Sequence, residues 1–247
     1  MSRVVVWFSA GAASAVAAKL TLDKYPDAIL VYTDTGSEHE DNVRFIGDIE
    51  KWLDKPVYKI KSEIYQDIWQ VFKITRWLVG VNGARCTTEL KKKLRQKFEE
   101  PDDLQVFGYT IEEQNRVARF IQNNPEINVE CPLIDKKLSK SDCFDILTQA
   151  GIELPTMYKL GFRNNNCIGC PKGGMKYWGR IRKHFPEQFE RMAKVERDLD
   201  VAINKSYAGD GERKRVFLDE LPKDIDIHEP EASISCGLFC GQYLEDE

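Results

Sequence analysis

Val4-Val5-Val6-Trp7-Phe8-Ser9-Ala10-Gly11-Ala12-Ala13-Ser14 is the stretch that decides the fold. Its five apolar residues, mostly β-branched or aromatic, read as a buried strand, and the alanine-rich run from Ala12 to Leu22 reads as a helix. Between them Ser9 to Ser14 leaves room only for a tight turn of small residues. A strand that feeds a helix in this way opens a β-α-β unit, and the alternation continues. Ala28-Ile29-Leu30-Val31-Tyr32 reads as a second strand ending at Thr33-Asp34-Thr35-Gly36, Glu40 to Leu53 as the next amphipathic helix, and Val57-Tyr58-Lys59-Ile60 as a third strand. Right-handed crossovers make such strands parallel, and ligands of parallel sheets bind beyond the carboxyl ends of the strands.

Farther along, residues 62–100 read as mostly helical, and Leu104-Gln105-Val106-Phe107-Gly108 as a strand before the helix that carries Arg116 and Arg119. Cys131-Pro132-Leu133-Ile134 reads as a short extended piece. Ser141 to Ala150 reads as a helix with Ser139 or Ser141 as its N-cap and Gly151 at its C-terminal side. Tyr177 to Asn204 has helical periodicity interrupted near Pro186, and the stretch from Gly209 to Glu247 is turn-rich and acidic. The predicted class is α/β, Rossmann-like, a mostly parallel sheet with helices on both faces. Residues 1–160 form the nucleotide-binding domain, and residues 161–247 a cysteine-bearing helical region and tail packed on it.

A chain of 247 residues buries a large core without a second domain. With 36 Lys+Arg against 40 Asp+Glu the formal charge is −4, so no global basic field draws nucleic acid. The N-terminus runs straight into a strand without the apolar stretch and cleavage site of a signal peptide, and no segment reaches the ~20 apolar residues that span a bilayer. A cytoplasmic protein with no membrane partner is expected. In a reducing compartment its seven cysteines serve as ligands, nucleophiles or buried fillers rather than disulfides.

The candidate site begins at the first turn. Small side chains at Ser9, Ala10, Gly11, Ala12 and Ser14 let backbone N–H groups approach phosphate oxygens at a helix N-terminus. An ordinary strand-to-helix turn uses the same residues. Asp34, with Thr35 and Gly36 at the end of the second strand, either orients a ribose hydroxyl or caps the following helix. Glu113 and Arg116, three apart on one helix, are either a surface ion pair or, in Arg116, a bidentate phosphate ligand. Two basic runs, Lys91 to Lys97 and Lys172 to Lys183, are solvated faces or an electropositive rim; Tyr177 and Trp178 read as core.

Cysteine placement carries the most information. Cys167-Ile168-Gly169-Cys170 has the spacing of a metal or cluster knuckle, and Cys86 precedes a basic helix eighty residues upstream. The tail adds Cys236-Gly237-Leu238-Phe239-Cys240. Cys131 and Cys143 read as buried filler.

Together these motifs resemble the phosphoadenylylsulfate (PAPS) and adenylylsulfate (APS) reductase family of the adenine nucleotide α-hydrolase (PP-loop) superfamily. The first loop corresponds to its Ser-Gly-Gly-x-Asp-Ser, with Ala10 for the first Gly and Ala13 for the Asp of ATP-splitting members. Thr33-Asp34-Thr35-Gly36 matches the Asp-Thr-Gly of sulfonucleotide reductases. Gly108, Glu113 and Arg116 fall on a Gly-x-Arg-x-x-Glu-x-x-Arg pattern in which Thr110 replaces the first Arg. Cys86, Cys167 and Cys170 fall on the ligands of a four-iron four-sulfur (4Fe-4S) cluster, with Thr87 where a second adjacent Cys would stand and zinc as the alternative metal. The resemblance implies that Cys236 is the nucleophile, with Phe239 in place of a motif His, and that Cys240 either completes the ligand set or joins Cys236 in it. It further implies an adenine nucleotide (PAPS, APS or ATP) as ligand, Mg2+ only if ATP is cleaved, a thioredoxin-like dithiol as reductant, and compatibility with a homo-oligomer. Two alternatives stand beside it: an ATP-dependent sulfurtransferase acting on tRNA or DNA, and a non-catalytic nucleotide-binding Fe–S or zinc protein.

Overall fold

Five parallel strands in the order β3-β2-β1-β6-β7 form the one large sheet of the computed structural model, which describes residues 2–80, 83–207, 213–225 and 227. In chain order β1 (Val4–Phe8), α1 (Ala12–Lys24), β2 (Ile29–Asp34), α2 (Asn42–Leu53), β3 (Val57–Lys61) and α3 (Ile68–Thr75) come first. A hairpin of β4 (Val79–Gly80) and β5 (Gly83–Ala84) leads into one helical run, made of α4 (Arg85–Thr87), a π turn over Thr88–Lys92 and α5 (Lys93–Phe98). Then follow β6 (Leu104–Val106), α6 (Gln114–Asn123), β7 (Val129–Glu130), α7 (Pro132–Asp135) and α8 (Lys140–Gln149). The described elements end with α9 (Thr156–Lys159), α10 (Met175–His184), α11 (Pro186–Leu199) and an antiparallel hairpin of β8 (Asn204–Tyr207) and β9 (Arg213–Val216).

The elements fall into two compact units. One takes the described residues of Met1–Asp34, Glu40–Lys61 and Leu94–Thr156; the other takes those of Thr35–His39, Ser62–Lys93 and Met157–Glu247. The first unit holds the whole parallel sheet. Val6, Leu30 and Val106, side by side on one face of β1, β2 and β6, are fully buried and pack with Ala18 of α1 and Ala28. On the opposite face Trp7 meets Phe98 of α5 edge to face, ring centroids 5.9 Å apart. Helices therefore cover both faces, which is why β1 and β2 read as unbroken apolar runs.

In the second unit α3, α10 and α11 share a core of Trp69, Phe72, Leu90, Met157, Phe162, Tyr177, Trp178, Ile181 and Met192, in which Cys86, Cys167 and Cys170 are also buried. Pro186 starts α11 at its first turn, where a missing N–H costs nothing, so the long helical stretch breaks where its sequence indicates. Ser139 caps α8, its hydroxyl accepting from Asp142 N at 3.2 Å while Asp142 accepts from Ser139 N at 2.7 Å, and Gly151 follows the helix with φ +73°.

Two expectations need correction. Cys131-Pro132-Leu133-Ile134 is not extended: β7 lies just before it, and Pro132 opens the short helix α7 from its N1 position. The span 62–100 contains the hairpin β4–β5 as well as helices, and β8–β9 adds a second hairpin that periodicity did not reveal, because strands of two to four residues are too short to show a period. Among the described residues no helix is long and apolar enough to cross a membrane.

Candidate functional site

The order β3-β2-β1-β6-β7 means that the chain moves outward from β1 to β3, returns, and moves outward again on the other side through β6 and β7. β1 and β6 are therefore the strands at which the winding reverses, and the crevice at their carboxyl ends is where an open parallel sheet binds ligands. The sequence puts Ser9–Ser14 at the end of β1 and Gly108 two residues past the end of β6.

The turn is held by one hydroxyl. Ser14 Oγ accepts from Ser9 N at 3.1 Å, from Ser9 Oγ at 3.1 Å and from Gly11 N at 3.3 Å, and donates to Gly11 O at 2.9 Å. Ala10, fully buried, has φ 54°, the left-handed region that glycine enters without strain. This accounts physically for the Gly of the related pattern at that position. Gly11 precedes α1 in extended conformation, so the first-turn amides of a 13-residue helix face the end of β1. Gly108 completes the cradle: a Cβ there would lie 2.6 Å from Ser14 Cα and 2.7 Å from Ser14 N, both backbone. Only glycine permits β6 to end this close to the start of α1.

Past Gly108, Tyr109 and Thr110 are buried. Arg116 of α6 stands 3.4 Å from Glu113, both side chains half-buried, and its guanidinium lies 5.7 Å from the centroid of the Tyr109 ring. Burial raises the Glu113 pKa, Arg116 opposing it. The pair is thus not the exposed surface bridge that spacing alone allows. Thr110, where the related pattern has Arg, begins the turn over Ile111–Glu113, its N–H 3.5 Å from Glu113 Oε2. Asp34, at the end of β2, pairs with Lys59 of the neighbouring strand at 3.1 Å. Helix α2 starts later, with Asp41 at its N-cap, so Asp34 is not that helix's cap.

The Asp-Thr-Gly motif crosses from the first unit into the second after Asp34. Thr35 is buried, and its hydroxyl lies 3.1 Å from Cys167 Sγ. Gly36 has φ +65°, and a Cβ on it would meet Gln66 O at 2.0 Å, so glycine is required there twice over. Ser37 O accepts from Ile168 N at 2.8 Å, which ties this strand end to the Cys-x-x-Cys turn. Sequence reasoning placed Thr35 among the nucleotide contacts; the structure places its hydroxyl on a thiol.

Tyr177 shapes that turn. Its buried hydroxyl accepts from Gly169 N at 3.1 Å and Cys170 N at 2.9 Å and donates to Cys167 O at 2.9 Å. Burial lifts its pKa well above the ordinary tyrosine value, so it stays a neutral donor. Gly169, at φ +90°, leaves room for the Trp69 ring, which a Cβ would approach to 2.9 Å. Lys91 lies 3.6 Å from the buried Glu38. Cys131 and Cys143 belong to the first unit, where burial pushes both thiols up to about 12, so they are unreactive filler as expected.

No protein-family model matches the chain. Two uncharacterized proteins of Methanocaldococcus jannaschii are similar to it. One is 25% identical over 219 residues, covering 84% of this chain and 44% of its own length; the second is 23% identical over 197 residues, covering 76% and 46%. The chain thus spans less than half the length of these curated relatives.

As donors for a metal or cluster, Cys86, Cys167 and Cys170 have suitable chemistry and lie in one buried core. Among the described residues, however, no three His, Cys, Asp or Glu side chains are gathered as a set that would hold an ion. Cys236 and Cys240 lie outside the described residues.

Proposed function

We propose that this chain is a nucleotide-dependent sulfur-transfer enzyme of the PP-loop, adenine nucleotide α-hydrolase type, acting on a sulfonucleotide such as PAPS or APS. The observation that carries this reading is the cradle at the reversal of the sheet: the Ser9–Ser14 turn, the α1 amides and the obligatory Gly108 form a place for a phosphate at the carboxyl ends of β1 and β6. Arg116 adds a guanidinium at the same strand ends, and Asp34 ends the adjacent strand within reach of a ribose. Ala13 in place of an acidic residue leaves the loop without a carboxylate for Mg2+, which favours a ligand whose phosphates are bound rather than split.

In this reading the nucleotide's phosphate sits on the loop and its sulfate is the reacting group. The Cys236 thiolate attacks the sulfate sulfur, the bond from sulfur to the bridging oxygen breaks, and the nucleotide leaves with both bonding electrons on its phosphate. A thiosulfonate remains on Cys236. A thioredoxin-like dithiol then attacks the cysteine sulfur, sulfite leaves, and the dithiol ends as a disulfide after giving up two electrons. Thr35 and Tyr177 hold Cys167 and the backbone of the 167–170 turn. If a 4Fe-4S cluster or zinc is resident, Cys86, Cys167 and Cys170 are its ligands and it supplies positive charge near sulfur; no step is assigned to it.

The test is turnover by the full chain. With PAPS or APS and a dithiol, sulfite and the desulfated nucleotide should appear in equal amounts, and Cys236→Ser should abolish both. Release of AMP and pyrophosphate from ATP, without reaction of either sulfonucleotide, would replace this reading by the sulfurtransferase one. Iron, sulfide and zinc analysis after anaerobic purification, repeated on Cys167→Ser, tests the ligand assignment separately.

A further inference from the structure

Arg95 of α5 is only 8% exposed, and its Nε and Nη1 atoms are buried without a hydrogen-bond partner among the described residues. Glu99, one turn on, stands 3.4 Å from Nε, yet its Oε2 also lacks a hydrogen bond. An arginine keeps its charge at any physiological pH. The first unit therefore holds a buried cation whose desolvation costs several kcal/mol and whose nearby carboxylate is poorly aimed. Trp7 Nε1 and Gln105 Oε1, on the sheet face that α5 covers, are buried and unpartnered as well.

The position of this cation is informative. Phe98, at the far end of α5, packs on Trp7, and its carbonyl accepts from Arg3 Nη2 at 3.1 Å, so the helix ends over the amino half of β1. Arg95, one turn earlier, lies toward the carboxyl ends of β1 and β6. There Tyr109 senses the charges of both Arg116 and Arg95. Thr110 follows, at the position where the related pattern carries its first Arg.

We propose that Arg95 is a second phosphate-binding residue of the nucleotide site, reaching the anion from the α5 side of Tyr109 as Arg116 does from the α6 side. It supplies, from a different element, the positive charge that Thr110 does not. The inference rests on the nucleotide reading above and deepens it. Phosphate oxygens accept the paired N–H groups of a guanidinium fork, which neutralises the buried charge and satisfies the donors that Glu99 leaves open.

The experiment is calorimetric titration of the full chain with AMP and with adenosine, for wild type and Arg95→Met. Met matches the apolar surroundings, and replacing a poorly paired buried charge by an apolar side chain does not lower stability, so the Tm without ligand should be unchanged or higher. Wild type should bind AMP more tightly than adenosine; Arg95→Met should reduce that ratio roughly tenfold or more, the scale of one hydrogen-bonded charge, with adenosine affinity unchanged. An unaltered ratio in Arg95→Met overturns the proposal while leaving the nucleotide site intact. A wild type that does not distinguish AMP from adenosine, or binds neither, removes the phosphate site itself. Arg95→Gln, neutral and polar, gives the same comparison should the Met variant fail to fold.

Discussion

At the residue scale, the two glycines that meet this chain's needs most sharply do so for different reasons. Gly108 has an ordinary φ but no space: its missing Cβ is what lets the end of β6 lie against the backbone of Ser14. Gly151 has space on every side but a φ of +73°. Gly108→Ala must push two backbones apart and should cost about 1–3 kcal/mol, as overpacking does, with loss of AMP binding because the first turn of α1 moves. Gly151→Ala should cost about 1–2 kcal/mol of left-handed strain and leave AMP binding as it was. Urea denaturation and titration of both variants check this; equal effects on binding would show that Gly108 does not shape the loop. Ala10 is the converse case, a Cβ-bearing residue in glycine's conformation, kept in place by the Ser14 hydrogen bonds around it.

At the scale of elements, the Cys-x-x-Cys turn depends on a helix that follows it in sequence. Tyr177, in the first turn of α10, satisfies two amides and one carbonyl of the turn through a single hydroxyl. Tyr177→Phe keeps the ring and strands all three in a buried core, a loss of about 2–4 kcal/mol on the scale of unsatisfied buried groups. The turn should loosen before the sheet does, so amide exchange of Gly169 and Cys170 should accelerate far more than that of Val5 or Leu30. Uniform acceleration would mean that Tyr177 supports the whole second unit rather than the turn. Sequence patterns alone locate both partners but not their pairing. The alternation of apolar strands and helices from Val4 to Ile60 is local and periodic, and it emerged as read. The break at Pro186 and the Ser139 cap carry equally local chemistry. What escaped was non-local or too short: the hydroxyl of Thr35 against Cys167, the guanidinium of Arg95 beside Tyr109, and hairpins of two to four residues. Pro132 is different, since proline at the first helical position was a usable sign of α7 that the preceding Cys131 obscured.

For the whole molecule, acid and base act on different carboxylates, and the sign of each follows from its surroundings. Asp41 accepts both guanidinium arms of Arg44 and the Thr156 amide, and Asp103 is held by Arg3; these partners keep both pKa values below the ordinary range. Their stabilisation is present above the usual Asp pKa and is lost as pH falls below it. Glu196 behaves oppositely. Fully buried in α11, it accepts from Ile203 N and Leu218 N, joining that helix to the segments on either side of the hairpin β8–β9, and burial raises its pKa to about 7 despite these bonds. Between its ordinary value of 4.5 and about 7 the native protein holds a proton that the unfolded chain releases. Its contribution is therefore complete below the lower value and fades as pH rises through the upper one, by about 3 kcal/mol at most. Glu113, also raised by burial, adds to the same slope. Stability should thus peak on the acid side of neutrality, between the loss of Asp41 and Asp103 pairing below and the ionisation of Glu196 above. Glu196→Gln cannot ionise; it should be about 1 kcal/mol less stable at pH 5, where one of the two amides loses its acceptor, yet show a flatter decline from pH 5 to pH 8. Urea midpoints across that range decide the matter: a variant that declines as steeply as wild type would place the pH sensitivity elsewhere than the junction of α11 with the hairpin.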